Sequence, residues 1–345
     1  MKLGNLSQTA WKRSIGRELH RGERKTVRPP VWEDRCSALQ KAEGDTLLWA
    51  SAAAAGDSGN IGYYAALKAA GDIAAKGGRP EGVSLRLQLP VHAEEEQLKM
   101  LAAGARDACD RMQIPVTAVE GEVCPYVSRT IAVVAAAGTA SESSVLPGHV
   151  YPGQEILLCG YIGLEGTLRI LDEARKELGT RFIPSFLQRT AERKKDLVMP
   201  QAIEKICGIR AEEEGQEART CVTAVRQIGS GGVLAALWEL CEEIHMGFEA
   251  DLYQMTLKQE TVEICEFYQL NPYQMTSAGS YLIVADHADE VLEVLEKVGA
   301  RAGRLGVIKA QNARVITSGE ETRYLDRPAP DELMRWWEQR QKMEG

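Results

Sequence analysis

The chain has 345 residues and a formal net charge of -8, with 26% charged and 44% hydrophobic residues; that length gives a prior of about two domains, each able to bury a core. The charge is spread along the chain without a basic stripe, which argues against a nucleic-acid partner. Eight cysteines stand singly and mostly inside apolar runs, which excludes a disulfide scaffold or a cysteine zinc site and fits a reducing, cytoplasmic setting. No apolar run reaches the roughly 18 residues of a membrane span, and none follows Met1-Lys2 as a signal peptide would.

In chain order, residues 1 to 30 are basic and end at Pro29-Pro30; the pattern predicts a short helix from Gln8 to Leu19 and then a loop. Strands follow at Cys36 to Leu39 and Thr46 to Ser51. The run from Gly59 to Pro80 is Ala-rich, apolar at Ile61, Leu67, Ile73 and Ala74, and stopped by Gly77-Gly78. It predicts one helix. Asp72 falls in its last turn, where the helix dipole disfavours a carboxylate, so it calls for a partner. A metal ion, an arginine such as Arg79 and a backbone amide are all open.

Val83, Leu85, Leu87 and Leu89 alternate with Ser84, Arg86 and Gln88, the pattern of a strand with one wet or partner-covered face. A helix from Glu94 to Met112 and strands at Ile114 to Val119 and Thr130 to Ala137 complete a β-β-α-β-α-β-β half. Around Ser141 to Pro152 the pattern lapses into Ser, Gly and Pro, which places a boundary between domains 1–150 and 151–345. The second half alternates again. Strands are expected at Glu155 to Tyr161, Cys221 to Ile228, Gly247 to Tyr253, Ser280 to Ala285, Leu305 to Lys309 and Arg314 to Ile316. Helices are expected from Gly163-Leu164, at Phe182 to Lys194, Pro200 to Glu214, Val233 to Ile244, Lys258 to Tyr268 and Ala288 to Val298, and at the C-terminus. Two α/β (α+β) domains are the economical reading.

Several of these stretches together resemble the AIR synthase-related (PurM-like) superfamily. They are Gly71-Asp72-Ile73-Ala74-Ala75-Lys76-Gly77-Gly78-Arg79-Pro80, the Gly231-Gly232-Val233-Leu234-Ala235-Ala236-Leu237-Trp238-Glu239 run, Leu270-Asn271-Pro272, Ser277-Ala278-Gly279-Ser280, and Pro328 with Asp331-Glu332-Leu333. The order and spacing carry the resemblance, and the hydrogenase-maturation and AIR synthase members are closest in pattern. It implies a two-domain PurM-like fold, a homodimer formed through the N-terminal sheet, and a site for ATP and Mg²⁺. Such a site needs several carboxylates converging on the metal and phosphates.

The resemblance also says where those carboxylates should be. The first position reads Glu33-Asp34-Arg35-Cys36 and holds Arg35, unless a one-residue shift offers Asp34. The second holds Ala52. The third is Asp72, retained, although the Asn before it has become Gly71. The fourth keeps Glu122 but loses two neighbouring glycines. The fifth reads Arg226-Gln227-Ile228-Gly229-Ser230-Gly231-Gly232, with Arg and Gln where relatives have His and Asp. Its glycine turn remains a candidate anion seat at a helix N-terminus.

The expected ligand-holding set is therefore Asp72, Glu122, Asp34, Gly231, Gly232 and Arg226, with Asp72 and Glu122 as metal ligands. Arg35 and Arg226 are alternatives that could hold an anion without a metal. The reactive C-terminal Cys of the carbamoyl dehydratase branch has no counterpart in Lys342-Met343-Glu344-Gly345, which counts against that activity. Two functions are expected: a depleted relative that binds or regulates, or an ATP-dependent enzyme acting on a small molecule.

Overall fold

The computed structural model describes residues 6–17, 31–40, 45–211 and 219–344. Most of the basic N-terminal segment lies outside those residues; the helix expected from Pro200 through Glu214 ends instead at Cys207, where Gly208 caps it and Arg210–Ala211 turn into a short strand, and residues 212–214 are not among those described. Within the first stretch, helix α1 (Gln8–Trp11) runs into a π-helical turn over Lys12–Gly16.

The first half builds a five-stranded sheet in the order β1-β2-β5-β3-β4 from β1 (Cys36–Gln40), β2 (Asp45–Gly56), β3 (Arg79–Leu89), β4 (Val116–Val123) and β5 (Thr130–Ser141). Only the β3–β4 pair is parallel. β2 extends beyond the expected Ser51 through Ala52-Ala53-Ala54-Ala55 because it pairs with β5 from Asp45↔Ser141 to Gly56↔Thr130. Continuous pairing overrides the helix preference of an alanine run.

Helix α2 (Ile61–Ala75) is buried nearly all round. One side meets the inner face of the sheet, with Leu48, Leu85, Leu87 and Val134, and α3 (Glu95–Met112) packs beside it through Leu101, Ala105 and Ala108. The other side faces the second half of the chain, where Ala74 and Ala75 join a core with Ile203, Val225 and Tyr281. Its alanines let three layers approach closely, and that burial fixes the end of the helix carrying Asp72 between the halves.

The second half forms a seven-stranded sheet in the order β14-β13-β10-β12-β6-β11-β9. Its members are β6 (Glu155–Cys159), β9 (Val222–Gln227), β10 (Gly247–Asp251), β11 (Tyr281–Ala285), β12 (Ala302–Lys309), β13 (Arg314–Ser318) and β14 (Glu321–Tyr324); a two-residue ribbon joins β7 (Arg210–Ala211) to β8 (Arg219–Thr220). Strands β9 and β11 are buried at every residue, as strands covered on both faces must be.

One face carries α6 (Pro200–Cys207) and α9 (Ala288–Lys297); the other carries α7 (Gly232–Ile244). A satellite cluster joins α4 (Leu164–Leu178), α5 (Pro184–Glu192), α8 (Gln259–Tyr268) and the terminal α10 (Glu332–Glu344) around Trp336. β14 has no counterpart in the sequence reading: its four exposed residues alternate without an apolar face.

The halves are joined by buried ion pairs. Lys68 on α2 meets Glu165 on α4 at 2.6 Å, and Arg169 reaches the same carboxylate at 3.1 Å. Thr276 and the Ala278 N–H also donate to Glu165, at 2.7 and 2.9 Å. Burial alone would raise the Glu165 pKa, but Lys68 and Arg169 pull it down to about 2. Asp172 accepts from Ser58 and Asn60 at 2.7 and 2.9 Å in the same seam.

Among the described residues no helix is long and apolar enough to cross a membrane. None of the eight cysteines is in a disulfide, and seven are buried; burial raises the Cys159 thiol to about 12.

Candidate functional site

Asp72 is half-buried where α2 meets β9. Its carboxylate accepts from Gln227 Nε2 at 2.8 Å, and the same amide donates to the Lys68 carbonyl at 2.8 Å. Burial is the largest influence on Asp72 and raises its pKa, against the opposing pull of Arg35, the Gln227 hydrogen bond and Arg226. The partner of Asp72 is thus Gln227, not Arg79. Gly71 makes this possible: a Cβ there would lie 2.6 Å from Gln227 Oε1, so a side chain at 71 and the Gln227 amide compete for one space.

Around this pair the charges are already matched. Arg35 donates to the Gln227 carbonyl at 3.3 Å and pairs with Glu239 on α7. Arg226 donates to Glu239 through Nε and Nη2 at 3.1 and 2.8 Å, to Glu243 at 3.0 Å, and to the Glu33 carbonyl at 2.7 Å. Lys76 lies 3.2 Å from Glu243 and 3.8 Å from Asp34. Although burial opposes it, Arg35 and Arg226 hold the Glu239 pKa below the usual carboxylate range. The space left among these groups is about 30 Å³, room for about a water or two.

The glycine turn before α7 is also engaged. Gly231 and Gly232 have φ of +85° and +69°, the left-handed region that glycine enters without strain. A Cβ on Gly232 would meet the Met275 nitrogen at 2.7 Å. The Gly231 N–H, at the N-terminus of α7, donates to Asp331 Oδ2 at 2.6 Å, and the Leu333 N–H donates to the other oxygen at 2.9 Å. A resident carboxylate therefore occupies the seat that the sequence offers to an anion. Burial pushes Asp331 up to about 6 despite those two donors.

Glu122 lies elsewhere. It is on β4, opposite Gln88, on the sheet face away from α2, and its carboxylate is 3.8 Å from Arg86. Asp72 and Glu122 thus sit on opposite sides of one sheet. Asp34, Arg35, Asp72, Arg226 and Gln227 do converge; Gly231 and Gly232 begin the helix that supplies Glu239 and Glu243. Among the described residues no three His, Cys, Asp or Glu side chains are placed to share a metal ion. The sequence reading missed Glu239, Glu243 and Asp331. Three acids on one side of an otherwise apolar helix, Glu239, Glu242 and Glu243, were the available signal for the first two.

The family model for the AIR synthase related protein, N-terminal domain, matches residues 39–140, and that for the C-terminal domain matches residues 152–318. The chain belongs to the AIR synthase-related family. A protein of Methanocaldococcus jannaschii named as a hydrogenase expression/formation protein is 22% identical over 284 residues, covering 80% of this chain and 79% of its own. Escherichia coli HypE, a hydrogenase maturation protein, superimposes with a TM-score of 0.69 at 21% identity, over 92% of this chain and 94% of that one. A HypE structure in complex with ATP matches with a TM-score of 0.68 at 17% identity, over 96% and 94%. At these identities the structures share the PurM-like fold that the sequence pattern led us to expect.

Proposed function

We propose that this AIR synthase-related chain is a binding or regulatory member whose Mg-ATP cleft is closed from within. The observation that carries this reading is the Arg35–Glu239–Arg226 bridge, which fills the convergence of α2, β9 and α7. A magnesium ion requires oxygen ligands at close range and usually keeps several waters. Here two guanidinium groups face Asp72, and the remaining acids are spoken for. The space among these ion pairs is some tenfold smaller than a nucleotide pocket of the usual size, and the cavity of about 290 Å³ beside it opens on the start of α7, where Asp331 already takes the Gly231 N–H. These residues do not fit ATP with Mg²⁺ as its relatives are expected to hold it.

The competing reading, an ATP-dependent enzyme with Asp72, Glu122 and Asp34 on the metal, needs those three groups to meet. Glu122 is across the sheet from Asp72, and Asp34 is turned toward Lys76.

The outer face of the N-terminal sheet supports the homodimer expected from the resemblance. Trp49, Ala53, Ala135 and Ala137 are exposed on neighbouring strands, and no element among the described residues covers them. A flat apolar face in a soluble domain marks an association surface. We assign the division into domains 1–150 and 151–345 and a reducing, cytoplasmic compartment on the strength of the two sheets and the free thiols.

The test is restoration. Arg35→Asp, Ala52→Asp and Gln227→Asp in one chain should create Mg²⁺-dependent ATP binding absent from the parent, read by calorimetric titration. Mg²⁺-dependent binding already present in the parent would overturn the proposal.

A further inference from the structure

A second site lies at the junction of the halves, lined by residues that the closed cleft does not use. The C-terminal end of α3, the segment before α6, α6 itself and the turn after α9 line a groove of about 520 Å³. Four cations line it: Arg111, Lys195, Lys205 and Arg301. The one acid in its wall, Asp196, is already 2.8 Å from Lys258 and 3.5 Å from Arg193. Arg111 donates only to neutral acceptors, the Tyr63 hydroxyl and the carbonyls of Lys194 and Lys195. Among the described residues Lys195, Lys205 and Arg301 have no carboxylate partner. In a protein of net charge -8, four uncompensated cations in one concavity are a fixed positive field that an anion would relieve.

The groove is built before any ligand arrives. Arg111 pins the 194–195 backbone to the N-terminal domain, and the Val198 N–H donates to the Gly279 carbonyl at 3.0 Å. Gln201 donates to the Arg111 carbonyl at 3.1 Å, while its Oε1 is buried without a hydrogen-bond partner. Tyr161 supplies an aromatic wall, with Lys258 Nζ 3.8 Å from its ring centroid. Concavity at a domain junction, an aromatic wall and a few converging polar groups are the marks of a small-molecule site.

We propose that this groove binds a phosphorylated small molecule without a metal ion, its phosphate held by Lys195, Lys205 and Arg301 and its organic part lying along Tyr161. Lysine and arginine recognise phosphate directly by charge-assisted hydrogen bonds. Lys195, Lys205 and Arg301 are exposed at the rim of the groove, and their grouping about one concavity favours a small ligand over a polymer, which needs a stripe of cations.

The probe is inorganic pyrophosphate, titrated calorimetrically into the full chain with EDTA present. Saturable binding at sub-millimolar concentration is expected. The variant K195Q/K205Q/R301Q should weaken it at least about tenfold. Removing the same charge from Lys99, Lys309 and Lys342, which lie outside the groove, should leave it within about twofold at equal ionic strength. Absence of saturation, or equal weakening in both variants, would overturn the proposal. So would displacement of pyrophosphate by a single-stranded DNA oligomer at far lower phosphate concentration, which would mark a polyanion surface.

Discussion

Replacing Gln227 by Glu keeps the side chain's length and shape but turns its amide nitrogen into an oxygen. That nitrogen donates at 2.8 Å both to Asp72 and to the Lys68 carbonyl, so the variant confronts two acceptors with a third. A protonated Glu can donate to only one of them. Losing one of the two bonds and setting a carboxyl oxygen against the acceptor it abandons costs about 2 kcal/mol.

The carboxyl also resists ionising beside Asp72, so its folded pKa lies above its unfolded value of about 4.3. A raised carboxyl pKa means that the folded state binds more protons than the unfolded state. Stability is then lost as pH rises through the window between the two values, at up to about 1.4 kcal/mol per pH unit. Urea unfolding of parent and variant at pH 5, 6.5 and 8 should show a deficit of about 2 kcal/mol at pH 5 that grows by about 3 kcal/mol or more at pH 8. A deficit below about 1 kcal/mol, or one that is flat with pH, would refute the assignment of Gln227 as the neutral partner of Asp72.

Gly71→Ala forces the Gln227 amide aside, and despite alanine's better helix propensity it should lose about 1–3 kcal/mol of stability by urea unfolding; a gain would show the space to be free. Lys68→Met should cost about 3–5 kcal/mol by leaving Glu165 with one cationic partner. In the parent, a Glu165 pKa lowered from 4.5 to about 2 contributes about 3 kcal/mol above pH 4.5, lost as pH falls toward 2. That acid loss should shrink in Lys68→Met, and unchanged pH slopes would exclude Lys68 as the partner. Ala135→Arg, in the middle of the exposed N-terminal sheet face, should convert a dimer to a monomer by light scattering; a parent that has the mass of one chain at micromolar concentration would remove the dimer.

The fold was legible because its evidence is periodic. The alternation at Val83 to Leu89 and the small-residue run at 61–75 each announce an element and the face it buries. β14 and the length of β2 were not, because pairing partners distant in the chain decide them. Of the candidate site, the replacements at 71 and 227 were legible one by one, but not the exchange that links them. Gly71 and Gln227 are 156 positions apart, and only packing shows that the loss of one side chain admits the other. The Asp331 occupant of the α7 N-terminus was hidden for the same reason. The basic groove was hidden because its four cations come from four separate segments, each unremarkable in a chain of negative charge.

The central claim, that internal ion pairs have replaced the metal and nucleotide, is tested most directly by titrating ATP into the parent chain with Mg²⁺ and again with EDTA. No binding that requires Mg²⁺ is predicted: any heat seen should be at least as large with EDTA as with Mg²⁺ and should be sensitive to K195Q/K205Q/R301Q. Saturable binding that requires Mg²⁺ and disappears in Asp72→Asn would contradict it.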